Sequence, residues 1–533
     1  MNRQKSLGVM VDCSRCAVYT VETLKTYFDY LAKMGYNAVQ LYTEDVYEIE
    51  DEPFFGYLRG KYSHEELKEL DSYAKSKGLE LIPCIQTLAH LGCVTRWPEY
   101  FNTCVDTGDI LLAGDERTYQ LIERMFAACA ECFTSRRINI GMDEAHMVGL
   151  GKYLDLHGYQ NRFDILLAHL KRVSDIAEKY GFRLMMWSDM FFRLLNNGGY
   201  YCENSEMPQD VLEMIPENIE LIYWDYYNTE KEHYDQMIRA HKQFRNKIVF
   251  AGGAWSWSGF VPSNKFSIEA WRAAIRSCAE NQIDDITVTC WKDDGAECSL
   301  FASLPTLLYA AEFFNGNFDE EKIARKFYRL TGVELNVFLN LEKLNFGEEI
   351  GIQNPSKYML YSDPFLGFLD QTAQGITGEE FAPVKESFAK GTKSGRFGYI
   401  FKTISSLCDV LEIKYALGLR TRNAYKKNDK NALVTLIADY KELEKRLEKF
   451  YLQFRNQWDK ESKFNGFEVH DVRIGGLIRR IKHCREVLAD YVAGKINRIP
   501  SLEEEIIPYN GNEPGKTFNY NNWHKEAMIK SNM

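Results

Sequence analysis

An Asp-Glu pair that closes a short apolar run is the feature of this sequence best suited to chemistry. In Arg137-Ile-Asn-Ile-Gly-Met-Asp143-Glu144 the two carboxyls follow the run directly, whereas the same dipeptide at 51–52, 115–116 and 319–320 does not. Neighbouring strand residues point to opposite faces, so both acids reach one site only where the strand is ending. Two carboxylates so close repel, which raises the pKa of one and favours a protonated acid near neutral pH. A proton donor beside a second acid is the requirement of glycosidic cleavage. Taken alone, the dipeptide fits a solvated acidic turn as well as a catalytic pair.

Other apolar runs end in related residues. Asp12-Cys-Ser-Arg15 follows the first, Thr43-Glu44-Asp45 the second and Gln86-Thr-Leu-Ala-His90 the third. Later runs lead into Trp187-Ser-Asp189, Trp224-Asp225-Tyr226-Tyr227, Trp255-Ser-Trp257 and Trp291-Lys-Asp293-Asp294. Acids and tryptophans thus collect at one kind of position. No Ser-centred elbow, phosphate-cradling loop or His-Glu-x-x-His helix is present. Two Cys-x-x-Cys pairs, Cys13/Cys16 and Cys129/Cys132, are read as ordinary thiols, the second marking one face of a helix. His90 has no second His or Cys at ligand spacing and is read as a hydrogen-bonding neighbour of the acids. No metal is expected. His146 and His157 carry no assignment.

The elements that must position these residues are legible as eight strand-length runs: Leu7–Val11, Ala38–Tyr42, Leu79–Ile85, Ile138–Met142, Arg183–Trp187, Ile219–Trp224, Lys247–Ala251 and Ile286–Cys290. Their starts lie 28 to 59 residues apart with helical patterns between, the spacing of βαβ units. Eight units predict a closed (β/α)8 TIM barrel, whose strand C-termini carry the site. No Gly-x-Gly-x-x-Gly follows the first run, which argues against a dinucleotide. Gly35, Gly78 and Gly181 each stand where a helix should stop before a strand. Beyond about residue 330 helical periodicity takes over, as in Leu433, Ile437, Tyr440, Leu443, Leu447, Phe450, Phe454 and Trp458. Further helical faces run over Ile400–Tyr415 and Val472–Val492. The expectation is a barrel domain over 1–330 and an all-helical domain over 331–533. The polar tail from Tyr509 onward is read as loop.

Composition fits this scheme. The 533 residues are 45% hydrophobic and 26% charged, ordinary globular values that exclude disordered and collagen-like classes. A net charge of −11 argues against a nucleic-acid partner. No run of about 18 apolar residues is present, so no membrane span is expected. The start MNRQKSLGVMVDCSRC lacks the apolar segment of about 7–15 residues that a signal peptide needs. Thirteen scattered cysteines are read as reduced, and the expected location is cytoplasmic. Aromatic residues make up 14% of the chain. Their faces can stack on sugars, though a large aromatic core accounts for most of them.

In strand order these motifs resemble glycoside hydrolase family 20, the β-N-acetylhexosaminidases. The family carries His-x-Gly-Gly-Asp-Glu after its fourth strand, and this chain reads Asn139-Ile-Gly141-Met142-Asp143-Glu144. Asp12-Cys-Ser-Arg15-Cys16 is similar to Asp-x-Ser-Arg-His, Gln86-Thr-Leu-Ala-His90 to Asp-x-Pro-Gly-His, and Trp291-Lys-Asp293 to Trp-Gly-Glu. The departures are Asn139, Met142 and Gln86. The likeness covers about residues 5–310 and is closest to the streptococcal exo-N-acetylglucosaminidase type, with a helical C-terminal domain and no N-terminal accessory domain.

The resemblance implies substrate-assisted retaining hydrolysis of terminal β-linked GlcNAc, with GalNAc an open second substrate. Glu144 would protonate the glycosidic oxygen and then activate water. Asp143 would hold the acetamide N–H. Arg15 would bind the 3- and 4-hydroxyls and Asp293 the 4- or 6-hydroxyl. Trp291 would floor the sugar ring, Trp187 and Trp224 would wall the acetamide methyl, Tyr226 would donate to its carbonyl, and Trp257 would line the pocket. Asp225 and Asp294 are alternates to their neighbours. No cofactor is needed, the partners are β-N-acetylhexosaminide glycans, and the assembly implied is a homodimer. Three other readings stay open. One is a retaining glycosidase with Asp293 or Asp225 as nucleophile; another is a catalytically silent sugar-binding barrel. A third makes the helical domain, with its basic stretch Arg473–Arg485, a partner-binding surface.

Overall fold

The computed structural model describes residues 5–201, 205–345, 354–373 and 375–507, so the tail from Tyr509 lies outside the described residues. Eight parallel strands close a barrel: β1 (Ser6–Asp12), β2 (Ala38–Tyr42), β3 (Glu80–Cys84), β4 (Arg137–Asn139), β5 (Arg183–Trp187), β6 (Glu220–Asp225), β7 (Ile248–Gly253) and β8 (Asp285–Cys290). Each pairs with its neighbours in chain order, and β1 pairs with β8 to complete the ring. All eight expected runs are barrel strands. Helices α1 (Val21–Met34), α2 (His64–Ser76), α3 (Glu116–Cys132) and α4 (Arg162–Lys179) stand between the first five strands. Gly35 caps α1 at φ 102°, with its N–H reaching the Leu31 carbonyl at 3.1 Å.

The barrel interior is layered and polar. At the N-terminal end, Arg137 lies 2.7 Å from Asp285 and 3.0 Å from Glu220. Lys247 reaches the same Asp285 oxygen at 2.7 Å. One layer up, Asn139 donates to Gln40 at 3.0 Å, and Gln40 donates to Thr287 at 3.3 Å. The next layer belongs to the site.

The chain forms two compact units. The first runs to residue 255 and adds 265–291 and 306–323; the second takes 256–264, 292–305 and the residues from 324 on. In the second unit three helices lead: α5 (Gly398–Lys414), α6 (Lys430–Glu461) and α7 (Glu468–Val492). The buried face of α6 is the one its periodicity marks, except that Leu436 is buried in place of Ile437. On α7, Ile474, Leu477, Ile481 and Leu488 are buried, whereas Val472 is 76% exposed. Polar contacts tie the 292–305 segment to these helices: Glu461 accepts the Leu300 N–H at 2.8 Å, and Arg473 meets Asp294 at 3.1 Å.

Arg137→Met should leave Asp285 and Glu220 sharing Lys247 alone. Uncompensated buried charge of this kind costs roughly 3 kcal/mol, to be read as a lower midpoint in urea unfolding.

Candidate active site

The site begins where β4 stops. The expected strand ran to Met142, but the observed one ends at Asn139, because the chain turns left-handed at Gly141 (φ 72°) and Met142 (φ 68°). Asn139 stabilises the turn by accepting the Gly141 N–H at 3.0 Å. A Cβ at Gly141 would fall 1.9 Å from Gln86 Oε1, so the third-strand loop approaches as only glycine permits. The same Gln86 oxygen accepts the Met142 N–H at 3.2 Å. Met142 and Glu144 (φ 52°) hold a conformation that costs a non-glycine residue about 1–2 kcal/mol, and such strain concentrates at functional sites.

That turn gives Asp143 and Glu144 different surroundings. Asp143 is buried. Gln86 Nε2 donates to its Oδ1 at 2.8 Å, and His90 Nε2 lies 3.3 Å from its Oδ2. Burial alone would raise its pKa, yet the His90 charge and the Gln86 amide together hold it below the usual carboxylate range. Burial likewise opposes charge on His90, but Asp143 outweighs it and lifts the imidazole to about 9. The Glu144 side chain is 41% exposed, with Arg193 at 3.1 Å and His90 at 3.7 Å.

Asp189, two residues past the end of β5, completes the acid cluster. Its Oδ2 accepts the Glu144 backbone N–H at 3.1 Å and Arg193 Nε at 2.8 Å. Fully buried, it has its pKa raised first by burial and then by repulsion from Asp143. The repulsion anticipated between the adjacent acids therefore falls visibly on Asp189.

Arg15 reaches in from the β1 loop, 3.3 Å from Glu44 and 3.7 Å from Asp12. Glu44 also accepts the Tyr42 hydroxyl at 2.9 Å, and that hydroxyl accepts from Gln86 at 3.1 Å. Aromatic rings continue the wall. Trp291 meets Tyr42 edge-on at 4.8 Å and Trp187 at 6.1 Å, and its indole N–H donates to the Tyr226 hydroxyl at 3.0 Å. Tyr226 stacks on Trp224 at 5.1 Å. The Trp187 indole N–H is buried without a hydrogen-bond partner among the described residues.

The structure thus gathers Asp143, Glu144, Arg15, His90, Trp187, Trp224, Tyr226 and Trp291. It does not bring Asp225 to them. Strand alternation sets Asp225 on the face opposite Trp224. There it accepts from Tyr223 (2.9 Å), Asn228 (2.9 Å) and His233 (2.9 Å). Trp257 and Asp293 fall in the second unit. Glu44, Gln86, Asp189 and Arg193 are the additions. The first three stood at strand ends where acids and amides were already visible. Arg193 carries only the i,i+4 spacing from Asp189 on a helix.

An eight-stranded parallel barrel whose strand ends carry an acid pair and a tryptophan wall defines the class. The glycosyl hydrolase family 20 catalytic-domain model matches residues 7–246, and the Glycoside Hydrolase 20C C-terminal domain model matches residues 336–520. Together these two models of one family span well over half of the chain, which belongs to glycoside hydrolase family 20. Hexosaminidase D of Bos taurus is 24% identical over 260 residues, 44% of this chain and 65% of that protein. Hexosaminidase D of Homo sapiens is 25% identical over 219 residues, 39% of this chain and 42% of that protein. The chain therefore spans less than two thirds of the curated relatives it matches. Among solved structures, a β-N-acetylhexosaminidase from Bacteroides fragilis aligns with a TM-score of 0.46 at 20% identity, over 58% of this chain and 65% of that one.

Two outcomes follow from the geometry. Gly141→Ala should drive Gln86 off Asp143, lowering both the unfolding midpoint and activity. Because the folded pKa of His90 is raised, its contribution is fully present below the unfolded value of about 6.5. It is lost as pH rises through about 9. Thermal midpoints measured across that window should fall for the wild type and flatten for His90→Gln.

Proposed function

We propose that the chain is an exo-acting β-N-acetylhexosaminidase that removes terminal β-linked GlcNAc by substrate-assisted retaining hydrolysis. The carrying observation is the asymmetry of the adjacent acids. Asp143 is buried, held ionised and clamped by Gln86 and His90. Glu144 is 41% exposed, so a leaving group can reach it beside Arg193. A fixed anion suits the acetamide N–H, and a solvent-facing acid suits proton transfer. In this reading the acetamide oxygen attacks the anomeric carbon while Glu144 protonates the departing oxygen. Asp143 stabilises the oxazolinium-like intermediate, and Glu144 then takes a proton from the attacking water.

The remaining roles are those that the resemblance to the family implies. Arg15 binds the 3- and 4-hydroxyls. Trp291 floors the ring, and Trp187 and Trp224 enclose the acetamide methyl. Tyr226 donates to the acetamide carbonyl. His90 holds Asp143 charged. Asp293 and Trp257 fall in the second unit and carry no role in this reading. The reading with a protein nucleophile is disfavoured at Asp225, whose oxygens already accept from Tyr223, Asn228 and His233. The intact acid pair counts against a silent binding barrel.

The streptococcal type of organisation, a homodimer and a cytoplasmic location belong to the same proposal. Twelve described cysteines, all free, support a reducing compartment. Sedimentation of the full chain at twice the monomer mass is the expected result for the dimer.

The deciding assay pairs 4-nitrophenyl β-glycosides with a 2-acetamido or a 2-hydroxyl group. Turnover of the acetamido substrate alone is expected; turnover of the hydroxyl substrate would point to a protein nucleophile. Glu144→Gln should lower kcat on poor leaving groups by about 10²–10⁴. Asp143→Asn should be comparably severe, and near-normal rates in that variant would sink substrate assistance.

A further inference from the structure

The loop after β2 ends in an exposed apolar tip. Tyr57 is 45% exposed and Leu58 66%. Single apolar residues on a surface are ordinary, but this tip is held in place against conformational preference. Between residues 51 and 60 the backbone turns left-handed at Asp51 (φ 54°), Gly56 (φ 65°), Leu58 (φ 63°) and Gly60 (φ 68°). A Cβ at Gly56 would lie 2.3 Å from the Asp45 carbonyl oxygen, so the loop folds back tightly on its own base.

The base is clamped. Buried Glu52 accepts two Arg117 N–H groups at 2.7 Å each and the Tyr100 hydroxyl at 2.8 Å, and it also pairs with Arg124. Phe54 stacks on Trp97 at 5.3 Å, and Tyr57 meets both rings edge-on at 6.0 and 5.5 Å. A slack loop would fold Tyr57 inward to bury its ring. This one fixes the ring where it stays half in solvent.

Its location gives the display a use. The same loop starts with Glu44, the partner of Arg15. Arg59, two residues past Tyr57, bonds to Asp45 at 3.1 Å and to the carbonyl of Ser14, the neighbour of Arg15. Trp97 stands on the loop that starts with Gln86 and His90, both of which contact Asp143. The tip therefore stands on the rim of the barrel mouth, on two loops whose bases build the acid site. A pyranose ring carries an apolar C–H face that stacks on fixed aromatic rings.

We propose that Tyr57 and Leu58, backed by Phe54 and Trp97, form the platform for the leaving-group side of the substrate: the second pyranose ring of a β-linked oligosaccharide. The proposal rests on the hydrolase reading above and adds where the aglycone lies. Because the ring on Tyr57 belongs to the departing sugar, the platform acts on oligosaccharides and is indifferent to substrates without that ring.

The test compares kcat/KM for N,N′-diacetylchitobiose with kcat/KM for 2-acetamido-2-deoxy-β-D-glucopyranosyl fluoride, which has no ring on its leaving group. In Tyr57→Ala the chitobiose-to-fluoride ratio should fall about tenfold, the size of one aromatic contact, and Tyr57→Phe should restore it. An unchanged ratio, or a ratio that Phe does not restore, overturns the platform and assigns the tip to another partner. If the wild type hydrolyses neither compound, the hydrolase reading fails by itself. The platform is then judged by calorimetric binding of chitobiose. Binding about tenfold weaker in Tyr57→Ala supports it, and binding that is equal or absent in the wild type overturns it.

Discussion

The site is organised around one buried charge. The Asp143 carboxylate sits inside the barrel mouth, where an unpaired anion would be prohibitively costly. Two groups make it tolerable: the Gln86 amide at 2.8 Å and the His90 imidazolium at 3.3 Å. The consequences spread from there. His90 stays protonated well past neutrality because the anion holds it so. Asp189 ionises less readily, first because it is buried and then because the same anion repels it. Glu144, next in the chain, keeps its side chain in partial contact with solvent.

The barrel beneath makes this charge possible. Its interior is a stack of polar layers rather than a purely aliphatic core. The Arg137–Asp285–Glu220 cluster at the bottom and the Asn139–Gln40–Thr287 chain in the middle each link side chains across the ring, with Arg137 Nε left without a hydrogen-bond partner among the described residues. Asn139 belongs to that middle layer and to the turn above it, since its amide spans Gln40 and the Gly141 N–H. The residues that depart from the family's motif are thus integrated. Gln86 supplies a donor straight to Asp143, and Met142 accepts a left-handed backbone where the motif has glycine. A polar network of this kind gives specificity of geometry only when every member is bonded.

The aromatic wall adds a second kind of constraint. Tyr42, Trp291, Tyr226 and Trp224 form a continuous run of ring contacts that begins at the hydroxyl bonded to Gln86. The groups that hold the acid and the rings that would hold a sugar are therefore mechanically joined. The β2 loop repeats the device at the rim, with a buried carboxylate clamped by arginines and rings fixed above it.

Strand and helix periods, and the punctuation at Gly35, Gly78 and Gly181, were written locally, so eight strands and the helical second half were legible from residue order. The acid pair, Arg15, His90 and Trp187, Trp224, Tyr226 and Trp291 of the wall were legible too, because barrel strands expose their last residues at one end. Tertiary structure alone decided three things. It cut β4 short, since the turn at Gly141 answers to Gln86 on a distant loop. It turned Asp225 outward to Tyr223 and His233, which strand alternation permits but only closure of the barrel dictates. It raised the pKa of Asp189, because a pKa depends on burial and on charges brought together from the ends of β4 and β5. Local sequence determines which groups are available at the rim; their distances and desolvation exist only once the ring has closed.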